Sequence, residues 1–229
     1  MTNCQSLLRM NSISLLNQEW LFLQKFLAQI VAVSPDFKKQ GFLAVVFLIG
    51  NKAYSWKKLL KKLTLKKILL LSDTHSHIDD TILKYVDQAD EVWHAGDIGN
   101  LIVTDALQKV KPLRAVYGNI DDAKARMEFP LHNRFMCEGV DVWITHIGGY
   151  PGKYNASIRE ELLVNPPKIF ICGHSHILKV MFDKKLNLLH LNPGAAGISG
   201  FHQVRTMLRF VIEGDKIKDM EIIELGKRG

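Results

Sequence analysis

The chain is poor in cysteine, with three among 229 residues, and Cys4, Cys137 and Cys172 fall at no paired spacing. A disulfide framework and a four-cysteine zinc site are thereby excluded, and the scarcity suits a reducing, cytoplasmic compartment. Long hydrophobic runs are missing as well. The longest clean apolar stretch, Gly41 to Gly50, is about half of the roughly 20 residues that a bilayer core demands, so no spanning helix is expected. Acidic residues are nearly absent from the front of the chain. Residues 1–66 hold ten Lys and Arg against two Asp and Glu, whereas residues 67–229 hold twenty against twenty-one. The formal charge of +7 therefore belongs to the front segment, and inference from a basic isoelectric point to a polyanionic partner is confined there. What is present, 47% hydrophobic and 23% charged residues, is the balance of an ordinary globular protein and excludes disordered and collagen-like classes.

From Lys67 onward, short apolar runs alternate with amphipathic stretches, an α/β pattern. Ile68 to Leu71, Glu91 to Ala95, Leu113 to Tyr117, Val140 to Thr145 and Ile169 to Cys172 read as buried strands. Asp79 to Val86, Asn100 to Val110 and Asn155 to Val164 read as helices, the first two opening on a capping residue. After Gly173 the pattern turns β-rich: Leu178 to Asp183, Leu186 to Leu191, Arg205 to Glu213 and Lys216 to Glu224, the last two joined through Gly214-Asp215 as a hairpin. The expected architecture is two sheets packed face to face with helices outside. Residues 1–66 follow another grammar. Asn17 to Val33 fits a mostly apolar helix, Gly41 to Gly50 a short buried or interfacial segment. Trp56, Leu59, Leu60 and Leu63 form a stripe opposite Lys57, Lys58, Lys61 and Lys62. That basic amphipathic helix suits either an anionic membrane surface or docking on a core with its lysines solvated. Lys38-Lys39 before the apolar stretch mimics a signal peptide, but sits far into the chain and lacks a small-residue cleavage site.

Five polar clusters follow strands, where α/β proteins place their sites. They are Asp73-Thr74-His75, Gly96-Asp97, Gly118-Asn119-Ile120-Asp121, Thr145-His146 and Gly173-His174-Ser175-His176. Carboxylate, carboxamide oxygen and imidazole suit borderline divalent ions, and the lack of thiol in all five argues against a soft site. On an extended strand end alternate residues point the same way, so His75 can join Asp73 on one ion, while His174 and His176 can flank a metal pair. Gly96, Gly118 and Gly173 each precede a candidate ligand and leave room for it. Taken singly, each cluster also reads as capping or turn chemistry; the ordered set does not.

That ordered set resembles the calcineurin-like metallophosphoesterases. Ser72-Asp73-Thr74-His75, His94-Ala95-Gly96-Asp97 and Asn192-Pro193-Gly194 look like the compact YfcE-type branch, which also includes the retromer subunit of this fold. The resemblance implies an α/β, four-layer αββα sandwich over residues 67–229, preceded by a basic, partly apolar extension over 1–66. It implies one metal on Asp73, His75 and His176, a second on Asn119, His146 and His174, and Asp97 bridging both. The implied activity is a metal-dependent phosphoesterase, more a phosphodiesterase than a monoesterase, whose bridging hydroxide attacks phosphorus, with Asp97, Asn119 and His146 as the catalytic group. The expected cofactors are two divalent ions, manganese first, with iron, zinc or nickel as alternatives. No side-chain nucleophile is required, and Cys172 reads as a buried strand residue.

One position departs from the pattern. Ile120 stands where many superfamily members carry a histidine that protonates the leaving group, although the YfcE-type branch commonly lacks it; good leaving groups or diesters are then favoured. His77 is the candidate replacement donor, against a capping role for the next helix. Asp121 is expected to orient the loop or Asn119, and His94 to support the bridging region or fill the core. The expected partner is a small phosphoester; membrane contact by the front segment and homo-oligomerisation are left open, and nucleic acid is disfavoured by a core without a basic stripe. A competing expectation is a protein-interaction scaffold with a vestigial metal site.

Overall fold

The computed structural model describes residues 46–49, 52–55 and 65–228. The chain divides into two compact units, Met1–Lys57 and Lys58–Gly229. In the first, β1 (Val46–Ile49) and β2 (Lys52–Ser55) pair as an antiparallel hairpin with Val46 opposite Ser55. The candidate helix at Asn17 to Val33 and the stripe from Trp56 to Leu63 lie outside the described residues. Of Gly41 to Gly50 only β1 lies within them.

The second unit is built on two five-stranded sheets. One contains β3 (Leu65–Leu71), β4 (Glu91–His94) and β5 (Leu113–Ala115) in parallel, with β13 (Val204–Glu213) antiparallel to β3 and β14 (Lys216–Lys227) antiparallel to β13 at the edge. The other runs β11 (Lys179–Asp183), β12 (Leu188–Asn192), β10 (Ile169–Ile171), β7 (Val140–Thr145) and β6 (His132–Cys137), with a parallel centre and antiparallel edges. A small ribbon, β8 (Gly149–Tyr150) with β9 (Lys153–Tyr154), leads into the helix before β10.

The period of two along each strand sorts its residues into layers. Ile68 and Leu70 of β3 share one core with Val142 and Ile144 of β7, Ile169 and Ile171 of β10, and Leu208 and Phe210 of β13, so this core fills the space between the sheets. Leu69 and Leu71, one residue out of phase, pack instead on α1 (Asp80–Gln88) and α2 (Ile102–Val110) through Ile82, Val86, Val103 and Leu107. Trp143 and Phe170 likewise turn outward to Ile158 and Leu162 of α4 (Ala156–Val164). Helix, sheet, sheet and helix form a four-layer sandwich, as the alternation in the sequence anticipates. Asp79 caps α1 by accepting from the Ile82 N–H, and Asn155 caps α4 by accepting from Ser157. Asn100 lies just before the first residue of α2's cap and still accepts from the Ile102 N–H.

The strands of the β1–β2 hairpin and of the β8–β9 ribbon were not anticipated, and neither were β6 and α3 (Ala123–Glu128). β6 alternates poorly, its residues mostly half-buried, and α3, with six residues, is too short to show a helical period. Among the described residues no helix is long and apolar enough to cross a membrane.

Trp93 sits fully buried between the sheets, edge-on to Phe135 and Phe210 at centroid distances of 5.3 and 5.6 Å, with its indole N–H donating to Glu91. Trp93→Ala is expected to lower unfolding stability by about 3–5 kcal/mol, the usual cost of emptying a buried aromatic site. Urea denaturation followed by circular dichroism would measure it.

Candidate metal centre

The parallel strands deliver their following loops to one edge of the sandwich. Asp73 and His75 follow β3, Asp97 follows β4, Asn119 follows β5, His146 follows β7, and His174 and His176 follow β10. Their ligand atoms gather in two groups. Atoms of Asp73, His75 and His176 lie within 4.8 Å of one another, and so do atoms of Asp97, His146 and His174. Asn119 joins the second group, its Oδ1 lying 3.1 Å from His146 Nε2. Asp97 stands between the groups: Oδ1 is 3.1 Å from His146 Nε2, and Oδ2 is 3.8 Å from His75 Nε2.

The strand-alternation argument for Asp73 and His75 does not describe how they converge. Both lie beyond the end of β3 in the left-handed region, with φ of 54° and 46°, and Asp97, His174 and His176 share that conformation at 53°, 67° and 55°. For non-glycine residues this is uncommon and clusters at functional sites. Backbone hydrogen bonds hold it in place: Asp73 N–H donates to Gly96 O at 2.9 Å, His75 to Asp97 O at 3.0 Å, and Ser76 to Ile98 O at 2.8 Å. The His174 N–H donates to both Asp73 oxygens, at 3.2 and 3.1 Å, so His174 serves one cluster with its backbone while its ring reaches the other. Gly118 and Gly173 are among the glycines that close approach requires here. A Cβ at Gly118 would run into the Asp97 carboxylate and backbone, and one at Gly173 into Ser72 Oγ and the Asp73 carboxylate.

The donor set fits divalent cations. His146 Nδ1 lies 2.8 Å from the Ala95 carbonyl, which can only accept, so Nδ1 carries a proton and Nε2 faces two further acceptors, Asp97 Oδ1 and Asn119 Oδ1, a place that calls for a proton or a metal cation. His202 does the same for His176. Its Nε2–H donates to Gly197 O at 3.0 Å, and its Nδ1 accepts from His176 Nδ1–H at 3.3 Å. His176 Nε2 is thereby left as a lone pair 3.2 Å from both Asp73 Oδ1 and His75 Nε2. Acceptors that face one another are stable around a positive charge, and outer partners of this kind fix the tautomer of a ligating histidine. The electrostatics agree. Burial pushes the His146 pKa down, but the hydrogen bond to Asp97 and the charges of Asp73 and Asp97 outweigh it and raise it. Burial also disfavours the Asp97 anion, yet His146, the Ile120 N–H and His75 hold its pKa below the usual carboxylate value. A field that favours a proton on imidazole favours a metal cation at the same place.

The supporting residues separate cleanly. Asp121 is buried and accepts from three backbone N–H groups, those of Ile98, Gly99 and Gly118, tying the Asp97 and Asn119 loops together. His94 is fully buried, accepts from the Gly96 N–H at Nδ1 and donates from Nε2 to Thr74, whose hydroxyl donates to Ile98 O. It is at once a core histidine and a support for the bridging loop. His77 does not cap α1 itself: the cap is Asp79, and His77 pairs with that carboxylate at 3.0 Å. Asn192 donates to Gly173 O and Ser175 Oγ and so braces the His174 to His176 loop. Cys172 is buried, and burial pushes its thiol up to about 12, which removes it as a nucleophile. His202 escaped the sequence reading, since a single histidine in an irregular loop carries no spacing signal.

A face-to-face αββα sandwich with paired Asp and His clusters at one edge is the arrangement of a metal-dependent hydrolase superfamily. The chain belongs to the calcineurin-like phosphoesterase superfamily, whose domain model matches residues 67–215. It is 28% identical over 163 residues to a probable metallophosphoesterase of Methanothermobacter thermautotrophicus, covering 69% of this chain and 91% of that one. Among solved structures it is similar to vacuolar protein sorting 29 from Cryptosporidium parvum, with a TM-score of 0.57 and 17% identity over 72% of this chain and 100% of that one. It is also similar to an archaeal protein described as a novel phosphodiesterase, with a TM-score of 0.53 and 21% identity over 69% of this chain and 99% of that one.

Two outcomes follow for the supporting groups. Asp121→Ala leaves three backbone donors without an acceptor and is expected to weaken divalent-metal uptake by about 10- to 100-fold, the range for outer-sphere partners, read by titration calorimetry. Burial, against the charges of Asp121 and Asp73, depresses the His94 pKa from 6.5 to about 4, so the folded protein keeps it neutral where the unfolded chain protonates it. Its contribution is therefore intact above about pH 6.5 and is lost as pH falls toward 4, amounting to about 3 kcal/mol at most. Metal-free denaturation profiles of wild type and His94→Gln should diverge in slope across that window.

Proposed function

We propose that the chain is a phosphodiesterase of the compact YfcE-type branch, with a small phosphoester as substrate and the cytoplasm as its setting. The observation that carries this reading is the pair of donor clusters that share Asp97. Asp73, His75 and His176 would hold one ion, Asn119, His146 and His174 the other, and Asp97 both. Bound there, two divalent ions, manganese first, supply Lewis acidity toward phosphoryl oxygens and a nucleophile at neutral pH. The rest of the task falls to the chain. Asp97 sets the separation of the clusters, its Oδ1 fixed by the Ile120 N–H at 3.1 Å. Asn119 adds an uncharged oxygen, and Arg126 holds that residue's carbonyl at 3.2 Å while its Nε donates to Asp121 O. His146, oriented by Ala95, presents Nε2 toward the second cluster.

Ile120 decides the substrate preference. Its side chain is half exposed beside this loop and has no proton to give. His77, paired with Asp79, does not replace it. Without a leaving-group acid, which contributes typically 10²–10⁴ in rate, esters with good leaving groups are favoured over alkyl monoesters.

The second reading, an interaction scaffold whose metal site has lost its activity, draws on the solved structures. Several of them are Vps29 proteins, which support this reading more than they support a phosphodiesterase. Turnover separates the two. Manganese-loaded protein is expected to hydrolyse bis(4-nitrophenyl) phosphate, and Asp97→Ala to fall to background while retaining its circular dichroism spectrum. If wild type takes up two ions and turns over no faster than Asp97→Ala, the scaffold reading stands in place of the enzyme.

A further inference from the structure

A cleft of about 270 Å³ opens beside the second cluster and shares His174 with it. Its wall includes Ile147, Tyr150, Lys153, Ile177 and Lys179, and no Asp or Glu lines it. Tyr150 and Lys153 are direct partners across the β8–β9 ribbon, which places their side chains on one face. Lys179 Nζ lies 4.1 Å from the centre of the Tyr150 ring, so the cation and the aromatic form one platform. Among the described residues neither lysine is in an ion pair with a carboxylate. The ribbon is anchored, not loose: the Tyr154 hydroxyl donates to Asp183 at 2.8 Å, and His190 donates from Nε2 to Gly149 O at 3.0 Å. Ile147, Tyr150 and Ile177 are 37%, 39% and 61% exposed, an apolar flank next to an otherwise polar centre.

We propose that this cleft is a subsite for one arm of a phosphodiester, an arm that carries a planar ring and a second anionic group, the chemistry of a nucleoside bearing a further phosphate. The proposal rests on the phosphoesterase reading of the adjoining centre. Tyr150 and the two isoleucines supply contact for a ring, and Lys153 and Lys179, neither held in an ion pair among the described residues, supply the counter-charge. The volume lies just below the usual range for small-ligand sites, about 300–1,000 Å³, and so suits a single nucleotide unit more than a polymer.

The test uses full-length, manganese-loaded protein with two esters, thymidine 5′-(4-nitrophenyl phosphate) and its 3′-phosphorylated counterpart. The added phosphate is expected to raise kcat/KM by about tenfold or more, mainly through KM. The double variant Lys153→Ala, Lys179→Ala should lose that preference and hydrolyse the two esters with equal kcat/KM. Equal kcat/KM for the two esters in wild type, or a preference that survives in the variant, overturns the subsite. If neither ester is hydrolysed, the phosphoesterase reading fails by itself, and calorimetry with thymidine 3′,5′-bisphosphate decides the subsite. Binding weakened about tenfold in the variant supports it, and equal binding overturns it.

Discussion

Asp97 is the constraint on which the rest of the site depends. Its Oδ1 lies 3.1 Å from His146 Nε2 in one donor cluster and its Oδ2 faces His75 of the other at 3.8 Å, so this carboxylate stands where the two clusters meet. The groups around it are acceptors with their lone pairs turned inward, an arrangement that repels itself unless positive charge lies among them. The surrounding hydrogen bonds fall where this demand is greatest. Residues 96–99 are held by His94 at the Gly96 N–H, by Thr74 at the Ile98 carbonyl, and by Asp121 at the N–H groups of Ile98 and Gly99. The Ile120 N–H reaches across to the carboxylate itself. Gly118 completes the fit, since any side chain there would occupy the space of Asp97.

The second constraint is conformational. Asp73, His75, Asp97, His174 and His176 all hold positive φ, and each costs of order 1–3 kcal/mol relative to relaxed backbone. A loop alone could not sustain that. The sandwich can, because β3 and β4 enter the site from a strand pair whose two faces are filled: Leu70 and Trp93 against the opposing sheet, Leu69 and Val92 against the helices. The two sheets are then tied at the site edge by the His174 N–H donating to Asp73 and by His146 Nδ1 donating to Ala95 O. Packing energy in the cores thus stabilises strained backbone at the edge, which is how an ordinary α/β arrangement comes to present seven candidate ligand side chains with little freedom.

How far the sequence disclosed this follows from the kind of signal each part carries. Strands with two buried faces, such as Ile68 to Leu71 and Ile169 to Ile171, are apolar throughout and easily read, and the polar residues that follow them marked the site edge. The half-buried β6 and the six-residue α3 carry no period. The donors were legible as an ordered set, but the reason they converge was not. Alternation along an extended strand was the wrong device for Asp73 and His75, because the left-handed turn that aims them depends on hydrogen bonds to residues more than twenty positions away. His202 was hidden for a related reason. Its function is to fix a tautomer on a residue 26 positions earlier, and only three-dimensional proximity expresses that.

Cation binding is common to both functional readings, since a scaffold can keep a metal centre as a structural joint. What separates them is the surroundings of the centre. Ile120 contributes through its backbone N–H, a role indifferent to the side chain, so the loop can hold Asp97 while giving up the proton donor. A hydrolase without that donor must select substrates whose leaving group needs little help, and it must gain its discrimination from contacts remote from phosphorus, where binding energy can be used to orient the reacting ester. The cleft beside His174 offers such contacts, with two lysines that form no ion pair among the described residues and an aromatic face braced by Tyr154 and His190. A structural joint needs neither the lysines nor the opening. Their placement against the second cluster, and not elsewhere on a domain whose charge is nearly balanced, is what an anionic substrate arm would require.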